Sequence, residues 1–94
     1  MEFLVSLDFH FPDHVNKDEI ITAERAMAAG LRWEGKLLRV WRDPGRNANW
    51  TLWNVKDADE LHAIFSALPA FPFFQKLRVH ALASHPADPG VGGA

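Results

Sequence analysis

Glu24 is the residue of this 94-residue chain whose position points most directly to chemistry. The stretch ITAERAMAAGL covers residues 21–31. If a helix covers this stretch and begins near Ile20, one helix face holds Ile20, Glu24, Met27, Ala28 and Leu31. That face is apolar except for the carboxylate, and a buried carboxylate needs either a charged partner or a raised pKa. A carboxyl group with a raised pKa is suited to take and return a proton. The pattern therefore makes Glu24 a candidate proton carrier.

Two more ordinary roles for Glu24 stay open at the level of sequence. A carboxylate on a helix face is commonly solvated, or it pairs with a basic residue of a neighbouring sheet, such as Arg39 or Arg78. Structural ion pairs perturb acids as catalytic sites do, so periodicity alone does not choose between these roles.

The histidines raise the question of a metal site. Asp8 and His10 are two positions apart on the first predicted strand, and His80 lies on the last one. The spacing provides no tight third ligand, and the other three histidines form no pair on one helix face. We therefore predict no metal site, and we interpret Asp8 and His10 as hydrogen-bonded residues at a subunit contact.

Composition disfavours several classes of protein. The chain has a formal net charge of -2 and 48% hydrophobic residues, which favours one compact domain and gives no electrostatic reason to expect nucleic acid or an acidic membrane. It has no cysteine, as is common in a reducing compartment. Polar residues interrupt the apolar N-terminal run, so we predict neither a signal peptide nor a membrane span. We expect a cytoplasmic protein.

The first two elements are indicated by residue periodicity. In EFLVSLDFHF, residues 2–11, apolar residues recur at every second position, as in a strand with one buried face. A helix is predicted from Asn16 or Asp18 to about Trp33, with Gly35 just beyond its end.

The remaining elements follow from residue type and turn signals. KLLRVWR and NANWTLWNV are rich in branched and aromatic residues and predict a hairpin whose turn is DPGR. A second helix is predicted to begin at Asp57 or Asp59 and to stop at Pro69. QKLRVHALA supplies a fourth strand, and the Pro- and Gly-rich residues 84–94 form a tail.

This order predicts the α+β class, most simply a ferredoxin-like βαββαβ sandwich with a four-stranded antiparallel sheet and two helices on one face. Residues 1–83 are expected to form the single domain. Four Trp and seven Phe offer more apolar surface than two helices cover, so we predict a homodimer of the dimeric α+β barrel type or a larger assembly. RNA-binding modules share the order, but Trp50 and Trp53 fall on opposite strand faces and the basic aromatic signature is missing.

Five motifs carry a family resemblance over nearly the whole chain. VWR at 40–42, GRNAN at 45–49, ELH at 60–62, LPAFPFF at 68–74 and HP at 85–86 resemble muconolactone delta-isomerase in order and spacing. The resemblance implies ferredoxin-like dimers assembled into a decamer. It also implies a cofactor-free isomerase that converts muconolactone into 3-oxoadipate enol-lactone in bacterial aromatic catabolism, the β-ketoadipate pathway.

The resemblance also assigns site residues. It places the proton-shuttling carboxylate at Glu24, and it matches Asn49 to an asparagine that helps to hold the lactone. The Asn49 amide can donate a hydrogen bond to the developing enolate oxygen, although asparagine is also a common turn residue. The family tyrosine is replaced by Asn47, which removes a phenol and a ring wall that Trp50 or Trp53 could supply. We include Asn47, Asn49 and Trp53 among the predicted substrate-binding residues.

The implied substrate carries a carboxylate, which a guanidinium binds through two parallel hydrogen bonds. The candidates are Arg39, Arg42, Arg46 and Arg78, and we include Arg39 among the predicted substrate-binding residues. Solvated strand arginines are the alternative for each.

The change at Asn47 leaves the substrate open. A halolactone dehalogenase of the same family would begin with the same proton abstraction, and a cofactor-free monooxygenase can use a similar dimer. A non-catalytic small-molecule-binding or assembly protein is the third alternative. The SHPADP stretch of the tail is either a disordered end or a segment that closes the pocket of a neighbouring subunit.

Overall fold

The computed structural model describes residues 1–88. In this part of the chain the secondary structure elements are β1 (Glu2–Phe9), α1 (Lys17–Trp33), β2 (Leu37–Arg42), β3 (Ala48–Asn54), α2 (Ala58–Ala67), a 3-10 helix (Phe71–Phe73) and β4 (Phe74–Leu82). The strands form one antiparallel sheet in the order β2-β3-β1-β4. The predicted α+β, ferredoxin-like arrangement is confirmed.

Side-chain caps fix where the two helices begin. The Asn16 side chain accepts a hydrogen bond from the Glu19 N–H at 3.1 Å, and the Asp57 side chain accepts one from the Glu60 N–H at 2.9 Å. These bonds satisfy backbone donors that have no partner within the helix. After α1 the chain reverses at Gly35, whose φ of 76° is a left-handed value that glycine adopts without strain.

The turn between β2 and β3 is tied to β1 by Arg46. Its Nη1 donates to Asp43 Oδ2 at 2.8 Å and its Nη2 donates to Asp8 Oδ2 at 2.6 Å. Gly45 provides the left-handed position of this turn, with a φ of 75°. One guanidinium therefore joins the hairpin turn to the end of the central strand.

The hydrophobic core lies between the inner face of the sheet and the helices. Alternate residues of β1, namely Phe3, Val5 and Leu7, are buried there, as the period of two predicts. From α2, Leu61 and Phe65 pack into the same cluster. The Phe65 ring meets the Trp53 indole edge to face, with ring centroids 5.2 Å apart.

The outer face of the sheet carries a second set of apolar residues. Leu4 pairs with Leu52, and Trp41 pairs with Trp50, so that these side chains share a face that neither helix covers. Trp41 remains 39% exposed. No helix in residues 1–88 is long and apolar enough to cross a membrane. Of the predicted tail, residues 84–88 are exposed, and residues 89–94 lie outside the described part of the chain.

Candidate active site

A cavity of about 500 Å³ lies between α1 and the inner face of the sheet. Its walls combine apolar residues with a small set of polar side chains, which is the usual make-up of a small-molecule site. Buried residues among its lining include Leu7, Leu31, Leu37, Thr51, Trp53, Phe65, Leu68 and Ala70.

Glu24 lines this cavity and is half-buried. Its Oε1 accepts a hydrogen bond from the Ala70 N–H at 3.2 Å. Burial raises the pKa of the Glu24 carboxyl above its ordinary value, and the hydrogen bond from Ala70 opposes this rise. Within residues 1–88 no ion pair includes Glu24, so the alternative pairing with Arg39 or Arg78 is not formed.

The Ala70 amide is a site group that sequence reasoning missed. It belongs to the turn that follows α2, where the Phe71 N–H donates to the Leu68 carbonyl and the Phe73 N–H donates to the Ala70 carbonyl. These bonds fix the peptide while leaving its own N–H free to reach α1. A backbone donor has no residue-type signature, so only Pro69, which stops α2, marked this region in the sequence.

Asn49 and Asn47 reach the same cavity from the sheet. Asn49 pairs with Leu7 on one side and with Arg42 on the other, which places it on the inner face. Asn47 is exposed, and its carbonyl accepts a hydrogen bond from the Phe9 N–H at 3.2 Å. The lining of the cavity thus includes Glu24 and both predicted asparagines.

Trp53 forms part of the buried wall of the cavity and is only 2% exposed. Its indole N–H donates to Thr51 Oγ1 at 2.7 Å, which fixes the orientation of the ring. Trp50, the other tryptophan considered for this wall, pairs with Ser6 on the outer face and is not part of the lining. The other aromatic residues of the lining are Phe9, Phe11, Phe65 and Phe74.

Arg39 does not reach the cavity. Its guanidinium lies over the Trp41 ring, 5.0 Å from the ring centroid. The cause is a register shift between Leu37 and Arg39, which places Arg39 opposite Leu52 on the outer face while Leu37 stays inside. The arginines that do line the cavity are Arg25, Arg32 and Arg42.

The residues considered for a metal site are separated in space. Asp8 pairs with Arg46, and His80 lies opposite Leu4 rather than opposite Asp8. In residues 1–88 no three His, Asp or Glu side chains are grouped in a way that could hold a metal ion. The predicted hydrogen bonding of Asp8 is present within the chain itself.

Fold and cavity together define a small α+β protein with a cavity of small-molecule size beneath its first helix. The family model for muconolactone delta-isomerase matches residues 1–88, and the chain belongs to this family. A muconolactone delta-isomerase from Cupriavidus pinatubonensis is 38% identical over 91 residues, covering 94% of this chain and 98% of that protein. One from Acinetobacter baylyi is 34% identical, covering 94% of each chain.

Two solved structures have a similar fold. The crystal structure of a muconolactone isomerase matches with a TM-score of 0.84 and 27% identity, covering 94% of each chain. A 5-chloro-2-hydroxyhydroquinone dehydrochlorinase from Burkholderia phenoliruptrix matches with a TM-score of 0.64 and 16% identity, covering 90% of this chain and 96% of that chain. At that identity the second likeness concerns the fold alone.

Proposed function

We propose that this protein isomerises muconolactone to 3-oxoadipate enol-lactone without a cofactor, and that Glu24 carries the proton. The observation that carries the assignment is a desolvated carboxylate that lines a cavity of about 500 Å³ and has no ion-pair partner in residues 1–88. A base of raised pKa at such a site is suited to proton transfer near neutral pH.

The chemistry needs one group that removes a proton and returns it. As a carboxylate, Glu24 takes the proton from the ring carbon that bears the carboxymethyl arm, and the C–H electron pair enters the ring to form a dienolate. Glu24 then returns the proton to the carbon beside the lactone carbonyl, which restores the carboxylate. No other reactant is consumed.

The Ala70 amide and Asn49 serve different parts of this cycle. The Ala70 N–H binds Oε1 of Glu24 and so orients the carboxylate towards the cavity. The Asn49 side chain, on the opposite wall, donates a hydrogen bond to the lactone oxygen as negative charge develops there. The proposal thus assigns proton transfer to α1 and charge stabilisation to β3.

We propose a homo-oligomer, built from dimers and extending to a decamer, and a cytoplasmic location. Support for the oligomer comes from the outer sheet face, where Trp41, Trp50, Leu4 and Leu52 are not covered by either helix. Such a face is unusual for a monomer. The absence of cysteine in the sequence is compatible with the cytoplasm. Light scattering of the purified protein tests the assembly, and a monomer at working concentration contradicts it.

An absorbance assay with muconolactone tests the proposed activity. Glu24→Gln keeps the shape of the side chain and its acceptor for the Ala70 N–H but cannot act as a base, so we expect a rate loss of about 10²- to 10⁴-fold. The control is Glu19→Gln, which removes an exposed carboxylate of the same helix outside the cavity. Equal rates for wild type and Glu24→Gln contradict the role of Glu24, and an inactive wild type contradicts the substrate.

A further inference from the structure

The lining of the cavity has an uneven distribution of charge. Four cations, Lys17, Arg25, Arg32 and Arg42, belong to it, and Glu24 is the one carboxylate among its lining residues. All four cationic residues are exposed, whereas Glu24 is half-buried. Positive charge therefore lies at the solvent-accessible part of the cavity, away from its interior.

These four cations are not neutralised within residues 1–88. None of them takes part in an ion pair, with Glu24 or with any other acid of this part of the chain. Arg46 provides the contrast, because it pairs with both Asp8 and Asp43. In a chain whose formal net charge is -2, an uncompensated group of cations at one cavity favours an anionic ligand.

Arg42 differs from the other three cations in how it is held. Lys17, Arg25 and Arg32 project from α1, whereas Arg42 lies on β2 with Asn49 as its register partner. The Arg42 guanidinium also stacks over the Phe9 ring, 5.7 Å from the ring centroid. A guanidinium stacked on an aromatic ring keeps its N–H groups available for a planar anion, and the stacking limits the orientations that it samples.

We propose that Arg42 binds the carboxylate of the substrate's carboxymethyl arm and so places the lactone ring between Glu24 and Asn49. The inference rests on the proposed function, since it assigns one end of the same substrate. The position beside Asn49 is what singles Arg42 out, because a lactone whose carbonyl meets Asn49 carries its arm at a short distance from the ring. The cations of α1 attract the anion without fixing its orientation.

A ligand that cannot react separates binding from turnover. We propose calorimetric titration with the saturated lactone that carries a carboxymethyl arm, and with the methyl ester of the same compound. Wild type is expected to bind the acid more tightly than the ester. Arg42→Met is expected to lower the affinity for the acid about tenfold, the scale of a charge-assisted hydrogen bond, while the affinity for the ester stays unchanged. Arg42→Lys keeps the charge and loses the planar arrangement of N–H groups. Its affinity for the acid is expected to lie between those of wild type and Arg42→Met.

Two further variants define the comparison. Lys56→Met removes one positive charge at an exposed position outside the cavity, and it is expected to bind both ligands as wild type does. Arg39→Met tests the arginine that the sequence favoured, on the opposite face of the same strand. The proposal is overturned if Arg42→Met retains the preference for the acid, if it loses affinity for both ligands equally, or if only Arg39→Met loses that preference.

Binding and turnover can fail separately. If wild type does not isomerise muconolactone but binds the acid in preference to the ester, and Arg42→Met loses that preference, the assignment of Arg42 stands and the proposed reaction is wrong. If wild type isomerises muconolactone but Arg42→Met binds the acid normally, the reaction stands and the assignment of Arg42 is wrong.

Discussion

The two helices cover the same sheet face in different ways. α2 has 10 residues and buries two of them, Leu61 and Phe65, whereas α1 has 17 residues and buries one, Leu31. Among the residues of α1 that face the sheet, Ala28 is small and Glu24 is polar, and the cavity lies beneath them. One strand-helix unit therefore supplies most of the helical contribution to the core, and the other leaves space for a ligand.

The strongest test of this division is Leu61→Ala on α2. Leu61 is 3% exposed and does not line the cavity under α1, so its truncation is expected to lower the free energy of unfolding by about 2–5 kcal/mol. Urea unfolding measures this loss. The folded fraction of Leu61→Ala is expected to turn over substrate at the wild-type kcat. A loss of kcat at urea concentrations where the variant is still folded would show that the α2 core and the cavity under α1 are not separable.

Asn49→Ala tests the opposite region. Removing a hydrogen-bond donor to a developing oxyanion is expected to lower kcat about 10²-fold, with little change in the free energy of unfolding because Asn49 is only half-buried. Asn54→Ala, at the exposed end of the same strand, is the matched control. A kcat that survives Asn49→Ala restricts this asparagine to a structural role at the strand entry.

Ala28→Leu enlarges a side chain that lines the cavity one helical turn from Glu24. The larger side chain takes space from the substrate, and kcat/KM is expected to fall about tenfold. The free energy of unfolding should stay constant or rise by up to about 1 kcal/mol, because the added methyl groups enter existing space. Ala26→Leu makes the same change on the exposed side of α1. If both variants behave alike, substrate does not occupy the space beneath α1.

The smallest expected effect concerns pH. Because burial raises the pKa of Glu24 above its ordinary value of 4.5, the rate should fall as pH drops through the raised pKa. Burial favours the protonated Glu24 carboxyl group in the folded state. The resulting contribution to the free energy of unfolding is complete below the ordinary pKa and is lost as pH rises through the raised pKa of the folded state. Glu24→Gln should therefore be more stable than wild type at neutral pH and lose this advantage in acid. Urea unfolding at neutral and at acidic pH measures the difference in the free energy of unfolding between Glu24→Gln and wild type. A stability advantage of Glu24→Gln that grows in acid contradicts the burial of the carboxylate.

Most of the fold could be predicted from local patterns. The alternation in β1, the cap at Asn16 and the stop at Pro69 are properties of a few neighbouring residues, and the structure confirms the elements that they indicate. The 3-10 helix was not predicted, because three residues of FPF carry too little periodicity to distinguish it from a loop.

The site was less accessible to sequence reasoning. Glu24 stood out because helical spacing places it in an apolar stripe. Arg39 lies outside the cavity because a register shift after Leu37 reverses the faces of all later residues of β2. The same shift brings Arg42 to the inner face. No pattern of single residues signals such a shift before the strands are paired.

The double ion pair of Arg46 has a consequence for how this protein can change its specificity. Arg46 pairs with Asp8 of β1 and with Asp43, the first residue of the turn that precedes β3. The exposed Asn47 side chain can therefore be exchanged while the peptide that carries it stays in place. Exchanges at exposed positions typically alter stability by less than about 0.5 kcal/mol. Position 47 is thus a place in the cavity lining where the side chain can change without rebuilding the sheet.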